Sequence, residues 1–189
     1  MRYKLSDKTI NNLLSKLVVT IDTREKANKH IIDFFETMKI AYKVEKLPFG
    51  DYSCKLPKGT FEGQLRDIYF FDDIVIERKA NIDEIAGNLK DDAARLKKEL
   101  AHLNKYGTRF YIFIEDSLYH KHIRNGKYRS QYEPKTLYNR IKKGIEAEYN
   151  TVFVPIEAKY MGSEIYNTLA SYVYYKFKHE GWIEEGEKE

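Results

Sequence analysis

The apolar positions of the chain fall into alternating strand-like and helix-like stretches. Ser6 can cap a helix over 6–16 with Ile10, Leu13 and Leu14 on its apolar side, and residues 17–21 form a compact β-branched run that stops at Asp22-Thr23-Arg24-Glu25. A helix is predicted over 28–38, where Ile31, Ile32, Phe34 and Phe35 supply core contacts, and strands over 41–47 and 51–56 flank the breaker Pro48-Phe49-Gly50. Pro57-Lys58-Gly59 opens a loop. Residues 68–71 and 74–77 then read as two strand segments forming a hairpin around Asp72-Asp73. A helical stretch over 81–104, broken near Gly87, carries Ala94, Leu96, Leu100 and Leu103 as its stripe. After it come a strand over 109–114, a helix over 136–149, a strand over 152–155 and a helix over 163–177. In the last helix Ile165, Leu169, Val173 and Phe177 recur at the spacing of one buried face. Strands interspersed with helices predict an α/β fold with a mixed sheet flanked by helices. With no repeat or low-complexity linker, the expectation is one domain over 1–189, its core at about 17–178 and an acidic tail at 180–189.

Composition narrows the class. With 189 residues, 42% hydrophobic and 33% charged, the chain has the make-up of a globular domain with a real core. No run approaches the roughly 18 apolar residues of a membrane span, and no signal-peptide core opens the chain. Cys54 is the single cysteine, so neither an internal disulfide framework nor a four-cysteine zinc site is available. These features predict a cytoplasmic, reducing location and no membrane partner.

The net charge of +4 is unevenly spread. Between Leu118 and Gly144 eight cations (Lys121, Arg124, Lys127, Arg129, Lys135, Arg140, Lys142 and Lys143) face the lone acid Glu133, so the remainder is net acidic. Interleaved with Tyr128, Tyr132 and Tyr138, this stretch is either a surface that meets polyanions through phosphate contacts and stacking or a solvated basic loop and helix. Tyr160, Tyr166, Tyr172, Tyr174 and Tyr175 near the last helix serve core packing or a homodimer face. His120 and His122 lie in a segment that reads as a loop without nearby carboxylates, where solvated or phosphate-facing roles suit them better than metal binding. No glycine-rich phosphate loop or nucleophilic triad pattern is present, which argues against a nucleotide cofactor and a serine-hydrolase mechanism.

The chemistry concentrates at strand ends. On a strand, Glu77 and Lys79 share one face and Arg78 takes the other. Asp51, after Gly50, can approach from a neighbouring strand. Asp51 and Glu77 could then hold Mg²⁺, which needs only one or two protein carboxylates. Lys79 could orient an attacking water or offset charge developing on phosphorus. Asp22 could hold a second metal or order the first ion's waters. Taken alone, Glu-x-Lys also fits an ordinary solvated strand end. Acids at three strand ends of one sheet, however, repel unless cations lie between them.

Gly50-Asp51, a variable stretch, Glu77-Arg78-Lys79, then Asp83 resembles the signature of the XPF/Hef-type (ERCC4-domain) structure-specific nucleases. Val18 to Glu25 resembles that family's first strand and Asp-x-Arg-Glu turn, Leu47 to Tyr52 its Gly-Asp segment, and Arg95 to Leu100 the following helix, where Glu99 stands in place of a frequent Gln. The resemblance covers about residues 17–175. It implies a restriction-endonuclease-like core and Mg²⁺- or Mn²⁺-dependent hydrolysis of DNA phosphodiesters, with junctions or single-strand/double-strand boundaries as candidate substrates. It also implies Asp22, Asp51 and Glu77 as acidic site residues, Lys79 as catalytic, and Arg78 as a charge on the substrate phosphate or paired with Asp83. Asp83 is a supporting residue or a helix cap, and Arg24 and Glu25 an orienting ion pair. No helix-hairpin-helix glycine pattern is visible, so DNA contacts are expected from Arg95, Arg124, Lys127, Arg129, Arg140, Lys142 and Lys143. The alternatives to DNA cleavage are a non-cleaving DNA- or partner-binding subunit of the same fold and a nuclease acting on RNA.

Overall fold

A computed structural model describes residues 4–90 and 92–181; the expected acidic tail lies, from Trp182 onward, outside them. The elements run α1 (Asp7–Leu14), β1 (Val18–Ile21), α2 (Lys29–Thr37), β2 (Tyr42–Val44), β3 (Tyr52–Leu56), β4 (Ile68–Tyr69), β5 (Ile74–Lys79) and α3 (Ile82–Lys90). They continue with α4 (Ala93–Lys105), β6 (Arg109–Ile114), α5 (Tyr119–Arg124), α6 (Pro134–Ile141), β7 (Val152–Pro155) and α7 (Met161–His179).

The sheet has seven strands in the order β2-β1-β3-β5-β6-β7, with β4 beside β3. β1 pairs parallel with β2, and β5, β6 and β7 pair parallel in turn, whereas β3 is antiparallel to β1, β4 and β5. Every other strand thus points one way. The carboxyl ends of β1, β5 and β6 and the amino end of β3 meet at a single edge, which brings Asp22, Asp51, Glu77 and Glu115 together despite their separation in sequence.

Helices cover both faces. α1, α2 and α7 bury Ile10, Leu13, Ile31, Phe35, Ile165, Leu169 and Val173 against Val19, Ile21, Tyr52, Ile74, Ile76 and Phe113. α3 to α6 bury Ile82, Ile85, Leu89, Leu100, Leu103, Ile123, Leu137 and Ile141 against Val75, Phe110, Ile112 and Ile114. The alternation of Ile74 and Ile76 with Val75 between the two cores is the period-two geometry that sends alternate β5 side chains to opposite faces. Each side chain fully buried here contributes about 1.5–3 kcal/mol. α7 approaches α2 through Gly162, where a Cβ would lie 2.7 Å from Phe34 Cδ1.

Several expectations are corrected. Segments 68–71 and 74–77 do not pair with each other. β4 and β5 lie along the same side of β3, β4 at Lys55–Leu56 and β5 at Tyr52. A turn closed by Asp73 N–H and Ile74 N–H on Phe70 O takes up the extra residues between them. This is a bulged strand rather than a hairpin. The helical break falls between Lys90 and Ala93 rather than at Gly87. The helix predicted over 136–149 starts at Pro134 and passes into a π-helical turn at Lys142–Ala147. His120 and His122 lie on a short helix, α5, where His122 Nδ1 stands 2.6 Å from Asp116 Oδ2, a nearby carboxylate after all.

Candidate nuclease cleft

Asp51 reaches the edge because Gly50 lets the chain turn tightly over β5. Gly50 has φ +62°, and a Cβ there would stand 2.2 Å from Val75 Cγ1. No L side chain fits that position without displacing the strand beneath. Beyond the turn the Asp51 backbone is clamped on both sides: its N–H donates to Ile76 O (3.0 Å) and its carbonyl accepts Asp22 N–H (2.8 Å). Its side chain is set by Arg78 N–H, which donates to Oδ2 at 2.8 Å. Asp51 and Glu77 then line one cleft of about 180 Å³, together with Arg24, Gly50, Lys79, Asn88, Arg95, Leu96 and Glu99.

Three acids, Asp51, Glu77 and Glu99, and three cations, Arg24, Lys79 and Arg95, line the cleft, but Arg24 pairs with Asp22 and Arg95 with Asp92, which leaves Lys79 as the cation paired within the acid group. Burial, then the charge of Glu77, pushes the Asp51 carboxyl up to about 7. Burial, again followed by Glu77, also raises Glu99. Lys79 Nζ donates to Glu77 Oε1 at 2.6 Å. Burial works against the Lys79 charge, yet Glu77 and Asp51 leave its pKa raised, so at neutral pH it is an ammonium and not a base.

Asp22 is fully buried, and both its oxygens are engaged. Oδ1 accepts Arg24 N–H (2.8 Å) and Nε–H (2.6 Å), and Oδ2 accepts Leu47 N–H (2.7 Å). Burial opposes its ionisation, but these bonds prevail and hold its pKa low. The expected Arg24–Glu25 pair does not form: Arg24 pairs with Asp22 and lines the cleft, while Glu25 turns to Arg78. Arg78 lies on the far face and pairs with Glu115, not Asp83. Asp83 is not the cap of α3. Asn81 Oδ1 accepts Asp83 N–H at 2.9 Å as the cap, and Glu84 reaches back to accept Ala80 N–H at 3.2 Å. Asp83 instead accepts Arg129 N–H (2.7 Å) and Nε–H (2.9 Å), tying the basic segment to the first turn of α3.

The basic candidates divide. Arg95 lines the cleft and pairs with Asp92 at 3.2 Å. Arg124 and Lys135 border a second groove with Pro134 and Tyr138, and Lys127 and Lys143 are exposed. Arg140 is drawn in over the Tyr132 ring (5.0 Å) and toward Leu89 O, and Lys142 pairs with Glu146 at 2.5 Å. Among the last tyrosines, Tyr166, Tyr172 and Tyr174 pack on the core, whereas Tyr160 and Tyr175 are exposed. Three groups escaped the sequence reading as site residues: Glu99, Glu115 and His30. Glu99 is one turn from Arg95 on α4, a spacing that could have signalled a shared cleft face. Glu115 and His30 reach the edge only through long-range packing.

The donor set suits a hard divalent cation. Two carboxylates from adjacent strands face one cleft, and their repulsion is what such an ion relieves. Among the described residues no group of three or more His, Cys, Asp or Glu is arranged to hold a metal. No described helix is long and apolar enough to cross a membrane.

Curated protein sequences give no match. Among solved structures, XPF from Aeropyrum pernix in complex with DNA is similar with a TM-score of 0.52 and 19% identity, over 82% of this chain and 63% of that one. The pre-specific restriction endonuclease BsaWI–DNA complex is similar at TM-score 0.39 and 9% identity, over 96% of this chain and 65% of that one. The chain therefore spans less than two thirds of either solved chain. The fold is restriction-endonuclease-like, a mixed sheet flanked by helices. The family model described as "ERCC4 domain" matches residues 21–172, and the chain belongs to that nuclease-type family.

Proposed function

We propose that the chain is a Mg²⁺- or Mn²⁺-dependent endodeoxyribonuclease, with residues 17–178 as its nuclease unit. The observation that carries this reading is the Asp51–Glu77 pair beside Lys79 in one cleft at the strand edge. Asp51 and Glu77 would hold the ion, which when bound supplies Lewis acidity at a scissile phosphate and neutralises its charge. Lys79, an ammonium at neutral pH, orients the attacking water and offsets charge developing on phosphorus. Arg24 and Arg95 on the cleft wall suit phosphate oxygens. Asp22 serves as the residue that aims Arg24, whose N–H and Nε–H it accepts through Oδ1 while Oδ2 accepts Leu47 N–H. Arg124, Lys127, Arg129 and Lys143 extend phosphate contacts away from the cleft, and Asp83 fixes Arg129 among them.

The test is cleavage of labelled flap, fork, splayed-arm, duplex and single-stranded DNA, with a matched RNA, in Mg²⁺ or Mn²⁺. Wild type is expected to cut DNA only with metal, and Asp51→Ala and Lys79→Ala are expected to be inert. Wild-type activity in both variants removes the catalytic assignment. DNA binding without any cut leaves a non-cleaving subunit.

A further inference from the structure

Behind the cleft, on the opposite face of the sheet, the same strand ends carry a second charged group that the proposed chemistry leaves unused. Arg78 is 8% exposed. Its Nε–H and Nη2–H donate to the two oxygens of Glu115 at 2.9 and 2.7 Å, and its Nη1 lies 3.5 Å from Glu25 Oε1. His30 Nε2, from α2, stands 2.5 Å from Glu115 Oε1. A buried ion pair is a weak source of stability, because desolvation offsets most of its attraction and apolar side chains of similar volume serve as well. What this one does can be read from the atoms next to it. Arg78 N–H is the donor on Asp51 Oδ2, and the flanking Glu77 and Lys79 face the cleft. Glu115 N–H also bonds Lys79 O at 2.9 Å. The seat of the Arg78 guanidinium therefore fixes a peptide N–H that touches a cleft carboxylate.

We propose that Glu115 is a positioning residue for the cleft: it anchors Arg78 on the back face, so that Arg78 N–H holds Asp51 and Glu77 and Lys79 stay turned forward. The inference rests on reading the cleft as a cation-dependent nuclease site. Groups that orient metal ligands from behind typically matter 10–100-fold in metal affinity or activity. Glu115→Gln keeps the size and removes the charge that grips the fork.

Glu115→Gln, Glu115→Asp, Arg78→Lys and the Glu115→Gln/Arg78→Lys double variant are compared with wild type in three measurements. These are Mn²⁺ binding without DNA by electron paramagnetic resonance, DNA affinity without metal, and the Mg²⁺ midpoint of single-turnover cleavage. Each is made below the melting temperature of every variant. Glu115→Gln is expected to weaken Mn²⁺ binding about tenfold and to shift the Mg²⁺ midpoint alike, with metal-free DNA affinity within about twofold. Glu115→Asp, which retains the charge, recovers part of the loss, and Glu115→Gln adds little once Arg78 is Lys, because the effect runs through the guanidinium. A merely structural role lowers the melting temperature and leaves the metal dependence of the folded protein unchanged. Should Glu115→Gln fail to fold, Glu115→Asp and Arg78→Lys carry the same comparison. Unchanged Mn²⁺ affinity in the folded variants overturns the proposal, while metal-dependent cutting by wild type keeps the nuclease reading. Wild type that neither binds Mn²⁺ nor cuts overturns both.

Discussion

The two faces of one strand edge make opposite use of the same residue types. In front, Asp51, Glu77 and Glu99 share a cleft in which Lys79 meets Glu77 alone, and the Asp51 carboxyl is pushed up to about 7 by burial and by Glu77. Behind, Glu115 is partly buried, yet the Arg78 fork and His30 outweigh that burial and hold its pKa low. Glu25, at the longer contact to Arg78, is raised by its own burial. A carboxylate satisfied by the protein is scaffold. One left in repulsion with its neighbour is disposed to bind a cation.

The largest effect that tests this contrast is on cleavage. Glu77→Gln is expected to lower single-turnover cleavage by about 10²–10³-fold while leaving the fold intact, because on the proposed reading it removes one of the two carboxylates that would hold the ion. Arg78→Lys, one residue away but on the back face, is expected to cost about tenfold through positioning alone. Equal losses at both positions would erase the distinction between the faces.

Gly50→Ala breaks the front face by a different route. The added Cβ meets Val75 Cγ1 at 2.2 Å in a backbone with φ +62°, so overpacking and left-handed strain combine. A loss of about 3 kcal/mol in denaturant-measured stability is expected. A variant that unfolds at the wild-type midpoint would show that the turn can relax.

How much of this was legible follows from the range of the interactions. The forward Glu77 and Lys79 and the backward Arg78 follow from strand alternation, and Gly50-Asp51 advertises itself by a turn glycine beside an acid. Glu115 and His30 were invisible because they meet Arg78 and each other across 37 and 85 residues, a pairing that only the parallel β5–β6 register and the packing of α2 create. Asp22 looked like a ligand because its place after β1 is right, but the partners of its oxygens, Arg24 and Leu47, could not be read from its position. Asp72-Asp73 is a turn signal in a bulge and a hairpin alike, and only the pairing of β4 and β5 with β3 distinguishes them.

A smaller effect separates the faces by sign. Without metal, Asp51→Asn is expected to raise stability at pH 8 by about 2 kcal/mol, since each unit of pKa shift is worth about 1.4 kcal/mol and the shift is discounted for relaxation. Because the folded pKa of Asp51 lies above its unfolded value, the native state holds the extra proton between about pH 4 and 7. Its penalty therefore grows as pH rises through that window and is absent below it. The gain from Asn should vanish near pH 4. Glu115 has the reverse sign: its lowered pKa gives stability that is present above the ordinary carboxylate range and lost as pH falls through the folded value. Melting curves across pH with and without Mg²⁺ measure both. Mg²⁺ should raise the wild-type melting temperature and not that of Asp51→Asn.

The smallest expected effect concerns the seam between the cleft and the basic segment. Arg129 is bound by Asp83 yet remains 86% exposed in its side chain, so the pair is solvent-screened and worth at most about 1 kcal/mol. Its use must be sought in placement, since Asp83 holds both the backbone and the guanidinium of Arg129 against the first turn of α3, four residues past Lys79. Arg129→Ala should reduce the slope of log affinity against log salt by about 1, as expected for one phosphate contact. Asp83→Ala should keep that slope, because the cation is still present, while weakening DNA binding a few-fold through loss of placement. If Asp83→Ala instead lowers the cleavage rate about 10²-fold at saturating DNA, Asp83 belongs with the front-face carboxylates. The salt slope and the saturated rate measured on the same variant decide between the two.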